Sequence, residues 1–287
     1  MEYIGGTINI VDFQYLYYKY KNLCDIGRLR TLSYEGKDTT MLYYTIKEIE
    51  KFSNGGKIPT CVCFDSKAQK RENSDTYKKN RKSTLGDSDF QKIAEIKDIL
   101  AKAGYEVYKE AGYEADDLIA KLADKLYNYY DNIEIYSVDK DLLQLVNRKV
   151  AVNLFRARRD YMRVTLDNFC LTTEELFKTY IPINFVKLFK CMCGDASDNI
   201  SGIKGFGPKS FEKWLKLVTL DAEQCNDCAY LTELLRSSLS DEAYEQAVES
   251  LALVEFRHDF DLDMPFKDGV KRNSGIYREY GMNSLVK

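Results

Sequence analysis

The chain has 287 residues, of which 45% are apolar and 30% are charged, and its formal net charge is −3. These values are typical of a soluble protein with one large domain or two smaller ones, and no segment approaches the roughly 20 apolar residues of a membrane-spanning helix. The single histidine, His258, excludes zinc-peptidase and paired-histidine hydrolase chemistry. The eight cysteines include one CxxC pair, so neither a disulfide scaffold nor a structural zinc site is expected.

Three apolar segments that each end at an aspartate predict buried strands at residues 7–12, 59–65 and 132–139. Helical patterns alternate with these strands at residues 38–53, 89–103 and 114–130. Ser88 and Gln91 have the spacing of a capping box at the start of the second helix. The alternation predicts an α/β fold with a mainly parallel central sheet and helices on both faces. Ligands of such folds bind at the carboxyl ends of the strands, which is where the aspartates lie.

Residues 66–88 form a long polar insertion between the second strand and the next helix. Seven basic residues and two acids lie between Lys67 and Lys82, so this segment is too charged to belong to the core. A solvated charged loop and a functional segment explain such a run about equally well.

From about residue 172 the pattern is helical throughout. Thr172 and Glu175 have capping-box spacing, and helices are expected at residues 183–193 and 208–217, with two more after residue 220. We therefore divide the chain into two domains, residues 1–180 and residues 181–287.

Nine carboxylates lie at predicted strand ends and helix starts: Asp12, Asp65, Glu114, Asp116, Asp117, Asp139, Asp141, Asp195 and Asp198. Helix capping explains any one of them, because Asp and Glu are favoured at helix N-termini. It does not explain the group, since like charges that converge on one sheet edge repel each other unless cations neutralise them. An all-oxygen site favours Mg²⁺ or Mn²⁺ over zinc. Two such ions about 4 Å apart can flank an in-line phosphoryl displacement, so we predict phosphodiester hydrolysis.

A glycine-rich turn in the helical half is a candidate phosphate holder. It contains Gly202, Gly205 and Gly207, and Pro208 then suits the first position of a helix that carries Lys209 and Ser210 in its first turn. Free backbone N–H groups at a helix start can bind a DNA phosphate. A purely structural turn is the alternative, and the position of this turn after Asp195 and Asp198 favours the functional interpretation.

In their order and spacing, these motifs resemble the 5′ nuclease family, which includes phage 5′–3′ exonucleases, the nuclease domain of bacterial DNA polymerase I and flap endonucleases. The matching segments are INIVD, VCFDSK, YKKNR, YEADDLIA, SVDKDLLQL and GDASDNISGIKGFGPKS. The resemblance runs from about residue 7 to residue 218, and the later segment ALVEFRHDFDLDMPF is similar to the family's usual ending.

The resemblance implies a PIN-like nuclease fold with a helical arch at residues 66–88, followed by an all-helical, helix-three-turn-helix domain that grips duplex DNA. One metal ion would be held by the residues matching Asp12, Asp65, Glu114, Asp116 and Asp117. The second ion would be held by those matching Asp139, Asp141, Asp195 and Asp198. In the arch, Lys78 and Arg81 match a basic pair that contacts the scissile phosphate, Tyr77 lies beside them, and Lys19 matches a basic position near the active site. In some relatives the glycine turn also binds K⁺.

The implied activity is metal-dependent 5′–3′ exonuclease and flap endonuclease cleavage of DNA, extending to RNA primers on DNA. We expect a monomeric cytoplasmic enzyme of replication or repair that has no membrane partner. Where the family usually has glycine and a small polar residue, Phe13, Gln14 and Tyr15 follow Asp12, so Tyr15 or Tyr17 could stack on the 5′-terminal base. Two alternatives stay open: a PIN-type metal-dependent ribonuclease, and a DNA-binding module without catalysis.

Overall fold

The structure, a computed structural model, describes residues 3–66, 85–156, 160–218, 228–266 and 271–286. Its central sheet contains β1 (Thr7–Asp12), β4 (Thr60–Cys63), β5 (Glu106–Tyr108), β6 (Asn132–Ser137), β7 (Val150–Arg156) and β8 (Asp160–Val164). The order across the sheet is β5-β4-β1-β6-β7-β8, and every neighbouring pair is parallel except β7 with β8. A separate short hairpin pairs β2 (Ser33–Tyr34) with β3 (Lys37–Asp38). The predicted α/β class with a mainly parallel sheet is confirmed.

Strand β1 lies inside the sheet because its side chains are apolar on both faces. Ile8 and Ile10 belong to the hydrophobic core on one face, and Val11 belongs to the core on the other. Between these apolar residues lies the buried Asn9, whose side-chain amide donates a hydrogen bond to the carbonyl of Phe52 at 2.9 Å.

Helices cover both faces of the sheet. The face that carries Val11 packs against α1 (Phe13–Asp25), α2 (Thr40–Phe52), α3 (Asp87–Lys102) and apolar residues of the C-terminal segment 276–285. The opposite face packs against α4 (Ala115–Leu126). The same core continues through α5 (Phe169–Phe177), α6 (Val186–Cys193), α7 (Pro208–Leu215), α8 (Cys228–Ser238) and α9 (Asp241–Val254). This continuous core joins the strand residues to the C-terminal helices, and the division near residue 180 stays a prediction.

The chain changes direction across the sheet beside β1. It runs from β1 outward to β4 and β5, and it then returns to the other side of β1 to form β6 and β7. The connections that leave neighbouring strand ends diverge at such a point and create a crevice for a ligand. Asp12 is the last residue of β1, and Asp65 and Asp139 lie two residues after the ends of β4 and β6, so the topology brings these three residues to the crevice.

Two helix starts differ from the predictions. Ser88 does not cap α3, because that helix already begins at Asp87. Thr172 lies inside α5, which is entered through a 3₁₀ turn where the side chain of Asn168 accepts a hydrogen bond from the Thr165 N–H at 2.8 Å. Capping-box spacing also occurs within helices, so the spacing alone does not locate a helix start.

The sequence patterns also do not predict the ribbon formed by β7 and β8. Arg156, Asp160 and Arg163 lie in these strands, and such charged residues obscure the apolar alternation that marks a strand. Strand β7 pairs in parallel with β6, and the chain then returns as β8, which pairs antiparallel with β7.

The predicted arch lies largely outside the described residues, which omit residues 67–84 with Tyr77, Lys78 and Arg81. Within the described ranges, every helix is too short or too polar to cross a membrane.

Candidate active site

Asp12 occupies the centre of the strand-end group and is held by two hydrogen bonds. Its Oδ1 accepts from the Gln14 N–H at 3.0 Å, which caps α1, and its Oδ2 accepts from the Ser137 hydroxyl at 2.6 Å. Burial, together with the negative charges of Asp65 and Asp139, raises the pKa of Asp12 to about 7, although the Ser137 hydrogen bond acts in the opposite direction. Such a carboxyl group would be stabilised as an anion by a bound cation.

Ser137 joins the ends of β1 and β6. Besides donating to Asp12, its hydroxyl oxygen accepts from the Asp139 N–H at 3.0 Å. Asp139 in turn accepts from the Asp141 N–H at 2.8 Å, which caps the 3₁₀ helix Lys140–Leu145. Sequence reasoning missed Ser137, whose only signal was its place as the first residue of the SVDKD motif, at the end of β6.

Asp65 connects the end of β4 to the acidic start of α4. Its Oδ1 accepts from the Ala115 N–H at 2.8 Å, next to the buried Glu114 at the N-cap position. The Asp116 carboxylate also bonds within this turn, where it accepts from the Asp117 N–H at 2.7 Å. The structure thus brings the predicted acidic motif to the same edge as Asp65.

Both carboxylate oxygens of Asp117 accept hydrogen bonds from backbone N–H groups. Oδ2 accepts from the Glu114 N–H at 3.1 Å, which is one of the two hydrogen bonds of a capping box. Oδ1 accepts from the Arg257 N–H at 2.7 Å. Asp117 is fully buried, at 1% exposure, and therefore ties a C-terminal loop to the start of α4. Its role as a metal ligand stays a prediction.

A second carboxylate cluster comprises Asp141, Asp195 and Asp198. Each offers one oxygen, and these three oxygens lie within 4.8 Å of one another. Asp141 comes from the 3₁₀ helix, and the other two come from the turn after α6, where Asp195 and Ile200 exchange backbone hydrogen bonds at 2.8 and 2.9 Å. Residues from distant parts of the chain thus meet in one cluster. The assignment of Asp139 to the same ion stays a prediction.

Lys190 on α6 lies at this cluster and was not identified from the sequence. Its ammonium group contacts Asp141 and lies 2.6 Å from Oδ2 of Asp195, while its side chain is 7% exposed. Burial raises the pKa of Asp195, but the charge and hydrogen bond of Lys190, helped by Ser197, lower it overall to about 2. The signal in the sequence was a lysine five residues before Asp195, on a helix whose other residues, apart from Lys187, are apolar.

Lys19 and the nearby tyrosines are packed into the protein. Lys19 forms an ion pair with Glu48 at 3.0 Å and lies over the ring of Phe155. Its assignment to the active site stays a prediction. The rings of Tyr15 and Tyr17 are buried, at 4% and 0% exposure. Neither ring is therefore placed to stack on a terminal base, and that expectation is wrong because both aromatic rings fill the core beside α1 instead.

The glycine turn forms the link between the second cluster and α7. Gly202 has φ +62°, and a Cβ atom there would lie 2.3 Å from the backbone nitrogen of Gly194, so a side chain would not fit. Gly205 also has positive φ, and Gly207 is the N-cap of α7. In the first turn of α7, Lys209 is exposed and the Ser210 N–H donates to the carbonyl of Gly207 at 2.9 Å.

The donor set of both groups consists of carboxylate oxygens. Hard divalent cations such as Mg²⁺ prefer these ligands, and the depressed pKa of Asp195 keeps that carboxylate ionised. The residues therefore fit a divalent metal centre, with Asp141, Asp195 and Asp198 already close enough to share one ion.

Comparisons with known proteins identify the family and the fold of this chain. Residues 7–178 match the sequence family described as 5′-3′ exonuclease, N-terminal resolvase-like domain. DNA polymerase I of Caldicellulosiruptor bescii is 32% identical over 182 residues, which are 62% of this chain and 21% of that protein. The 5′-3′ exonuclease of Mycoplasma pneumoniae is 31% identical over 190 residues, which are 64% of this chain and 62% of that protein. The chain thus spans less than two thirds of the length of either relative.

Among solved structures, a T5 protein co-crystallised with metal ions has a TM-score of 0.59 and 16% identity, and the match covers 87% of this chain and 100% of that one. A T5 flap endonuclease in a pseudo-enzyme-product complex with DNA and metal ions has a TM-score of 0.56 and 17% identity, covering 87% and 99%. These matches concern the fold, which most of the chain shares with those proteins.

Proposed function

Because the chain belongs to the family of the N-terminal, resolvase-like domain of 5′-3′ exonucleases, we propose that it hydrolyses phosphodiester bonds of DNA near 5′ ends. The proposed activity is that of a 5′–3′ exonuclease and flap endonuclease, acting on flaps, nicks and 5′ ends in replication or repair. The observation that carries this proposal is the convergence of the predicted acidic residues on one edge of the sheet, with three carboxylate oxygens within 4.8 Å of one another.

We assign two ions of Mg²⁺, which Mn²⁺ can replace, to the two carboxylate groups. Residues for the first ion are Asp12, Asp65, Glu114, Asp116 and Asp117. Residues for the second are Asp139, Asp141, Asp195 and Asp198. When bound, such ions polarise the phosphate and make a bound water more acidic. Around them the chain positions its own groups, since Ser137 orients Asp12 and the backbone hydrogen bonds between Asp195 and Ile200 shape the turn that carries Asp195 and Asp198.

The DNA contacts that we propose lie on either side of these carboxylates. Tyr77, Lys78 and Arg81 of the arch would meet the 5′ strand, and Lys19 would support that side of the site. The glycine turn, through Gly202, Gly205, Gly207, Lys209 and Ser210, would bind a phosphate of the duplex, with K⁺ held by its carbonyl oxygens. Helices α6 and α7 with this turn between them would form the helix-three-turn-helix unit of a DNA-binding domain, residues 181–287.

The test of this function is a cleavage assay with paired 5′- and 3′-labelled substrates. Flap, nicked and RNA–DNA hybrid duplexes are incubated with the full chain, with and without Mg²⁺, and the product sizes are measured. We expect Mg²⁺-dependent products released from the 5′ end and no products from Asp198→Asn. Cleavage of RNA alone would favour the PIN-type ribonuclease. Tight flap binding without any cleavage would favour the binding module. We further propose a monomer in the cytoplasm, and the mass of the free protein by light scattering tests the monomer.

A further inference from the structure

A lysine side chain lies where a cation of the proposed function would bind. The ammonium group of Lys190 contacts the carboxylates of Asp141 and Asp195, two of the three members of the second cluster. The exposed fractions of the three side chains are 7%, 9% and 13%, so the ion pairs are shielded from water. A buried ammonium is stable only when it is paired, and buried carboxylates that approach each other need a positive charge nearby.

We propose that Lys190 is the resident counter-ion of the Asp141, Asp195 and Asp198 cluster, and that a divalent cation must displace it in order to bind there. The ammonium contacts Oδ1 of Asp141 and Oδ2 of Asp195, and a metal ion shared by the cluster would draw on the same two carboxylates. The inference rests on the proposed function for the presence of a cation at this cluster. It adds that the chain regulates occupancy of the cluster through its own side chain.

The displacement requires no proton transfer, because a lysine can leave the cluster while it is still charged. The cost is the loss of two buried ion pairs, which opposes the binding of the cation. Removal of the ammonium should therefore tighten the binding of a divalent cation at this cluster by at least tenfold, or about 1.4 kcal/mol.

The experiment measures Mn²⁺ binding to the full chain by calorimetry, without DNA. The binding step that belongs to this cluster is identified as the one that is lost in Asp198→Asn. We expect this step to be at least tenfold tighter in Lys190→Met than in the unaltered chain, whereas Lys190→Arg, which keeps the charge, should not tighten it. The matched control is Lys187→Met on the same helix, because the ion pair of Lys187 is with Glu255, at 3.1 Å.

A thermal-unfolding series covers the case in which Lys190→Met is unstable without metal. Loss of the ammonium leaves three carboxylates close together, so the metal-free variant should melt at a lower temperature and should gain more from Mn²⁺ than the unaltered chain does. A variant that folds only with Mn²⁺ supports the proposal, and a variant that stays unfolded in millimolar Mn²⁺ overturns it. Equal affinities of Lys190→Met and the unaltered chain at the cluster also overturn it.

The outcome can be separated from that of the proposed function. If Lys190→Met binds Mn²⁺ more tightly than the unaltered chain, but the unaltered chain does not cleave DNA, the counter-ion role is supported and the proposed nuclease activity is rejected. If the unaltered chain cleaves DNA and Lys190→Met has the same Mn²⁺ affinity as the unaltered chain, only the counter-ion role is rejected.

Discussion

Replacement of Asp12 by asparagine tests whether the strand-end carboxylates destabilise the metal-free protein. The Asp12 side chain accepts from the Gln14 N–H and from the Ser137 hydroxyl. An asparagine can keep the first bond through its carbonyl oxygen, and it can donate to the oxygen of Ser137 through its amide. The variant therefore removes a negative charge while largely preserving the local hydrogen bonds.

The size of the effect follows from the pKa of Asp12. Burial, and then the charges of Asp65 and Asp139, raise this pKa from 3.8 to about 7 in the folded protein. One pKa unit corresponds to 1.36 kcal/mol, so the shift is worth roughly 4 kcal/mol at most. Because the folded state binds the proton more tightly than the unfolded state, the free energy of unfolding falls as pH rises from about 4 to about 7.

The assay is denaturant unfolding in a metal chelator at pH 4 and pH 8. At pH 8 we expect Asp12→Asn to raise the free energy of unfolding by about 2–4 kcal/mol, and at pH 4 we expect little change, because Asp12 is then mostly protonated in the folded protein. The exposed Asp167→Asn is the control, and it should have little effect at either pH. Equal effects of Asp12→Asn at the two pH values, or a loss of stability at pH 8, would refute the reasoning.

Three further predictions concern residues with distinct roles. Asp198→Asn should abolish cleavage while duplex-DNA affinity stays within about tenfold, or 1.4 kcal/mol, and unchanged turnover at saturating Mg²⁺ would remove Asp198 from the site. Lys78→Ala should lower the single-turnover cleavage rate by about 10²–10³, because fixed positive charge stabilises the transition state. Lys67→Ala should mainly weaken the salt dependence of DNA binding, by up to about 0.9 in the slope of log affinity against log salt concentration. Similar cleavage rates for those two variants would contradict the arch. Asp117→Asn should speed hydrogen exchange at the Arg257 amide, whose N–H donates to that carboxylate at 2.7 Å, and unaltered exchange would contradict its anchoring role.

The ends of the strands could be predicted because they depend on short-range patterns. A run of apolar residues that stops at an aspartate marks β1 at both ends, and it marks β4 and β6 with small errors at their ends. Parallel strands bring their carboxyl ends to one edge, so the meeting of Asp12 with Asp65 and Asp139 followed from the same patterns. The order of the acidic motifs also sufficed to recognise the family, and the match over residues 7–178 confirms it.

A single aspartate can both cap a helix and belong to the acidic group at the strand ends. The Asp12 and Asp139 side chains each accept a backbone N–H at a helix start, as the simplest interpretation of an aspartate in that position predicts. The same carboxylates lie close enough for Asp139 to raise the pKa of Asp12. A motif in the sequence cannot separate these two uses, because both place an acid directly after a strand.

The remaining features depend on contacts between distant segments, which only the folded chain brings together. Ser137 bonds to Asp12 across 125 positions of sequence, and the Asp117 carboxylate accepts from Arg257 across 140. Lys190 reaches Asp141 because α6 packs beside the 3₁₀ helix that carries this aspartate. Local periodicity carries no information about such partners. The amino-acid order by itself determined which acids lie at the ends of the strands. Tertiary packing decided which side chains and backbone groups neutralise or orient those acids.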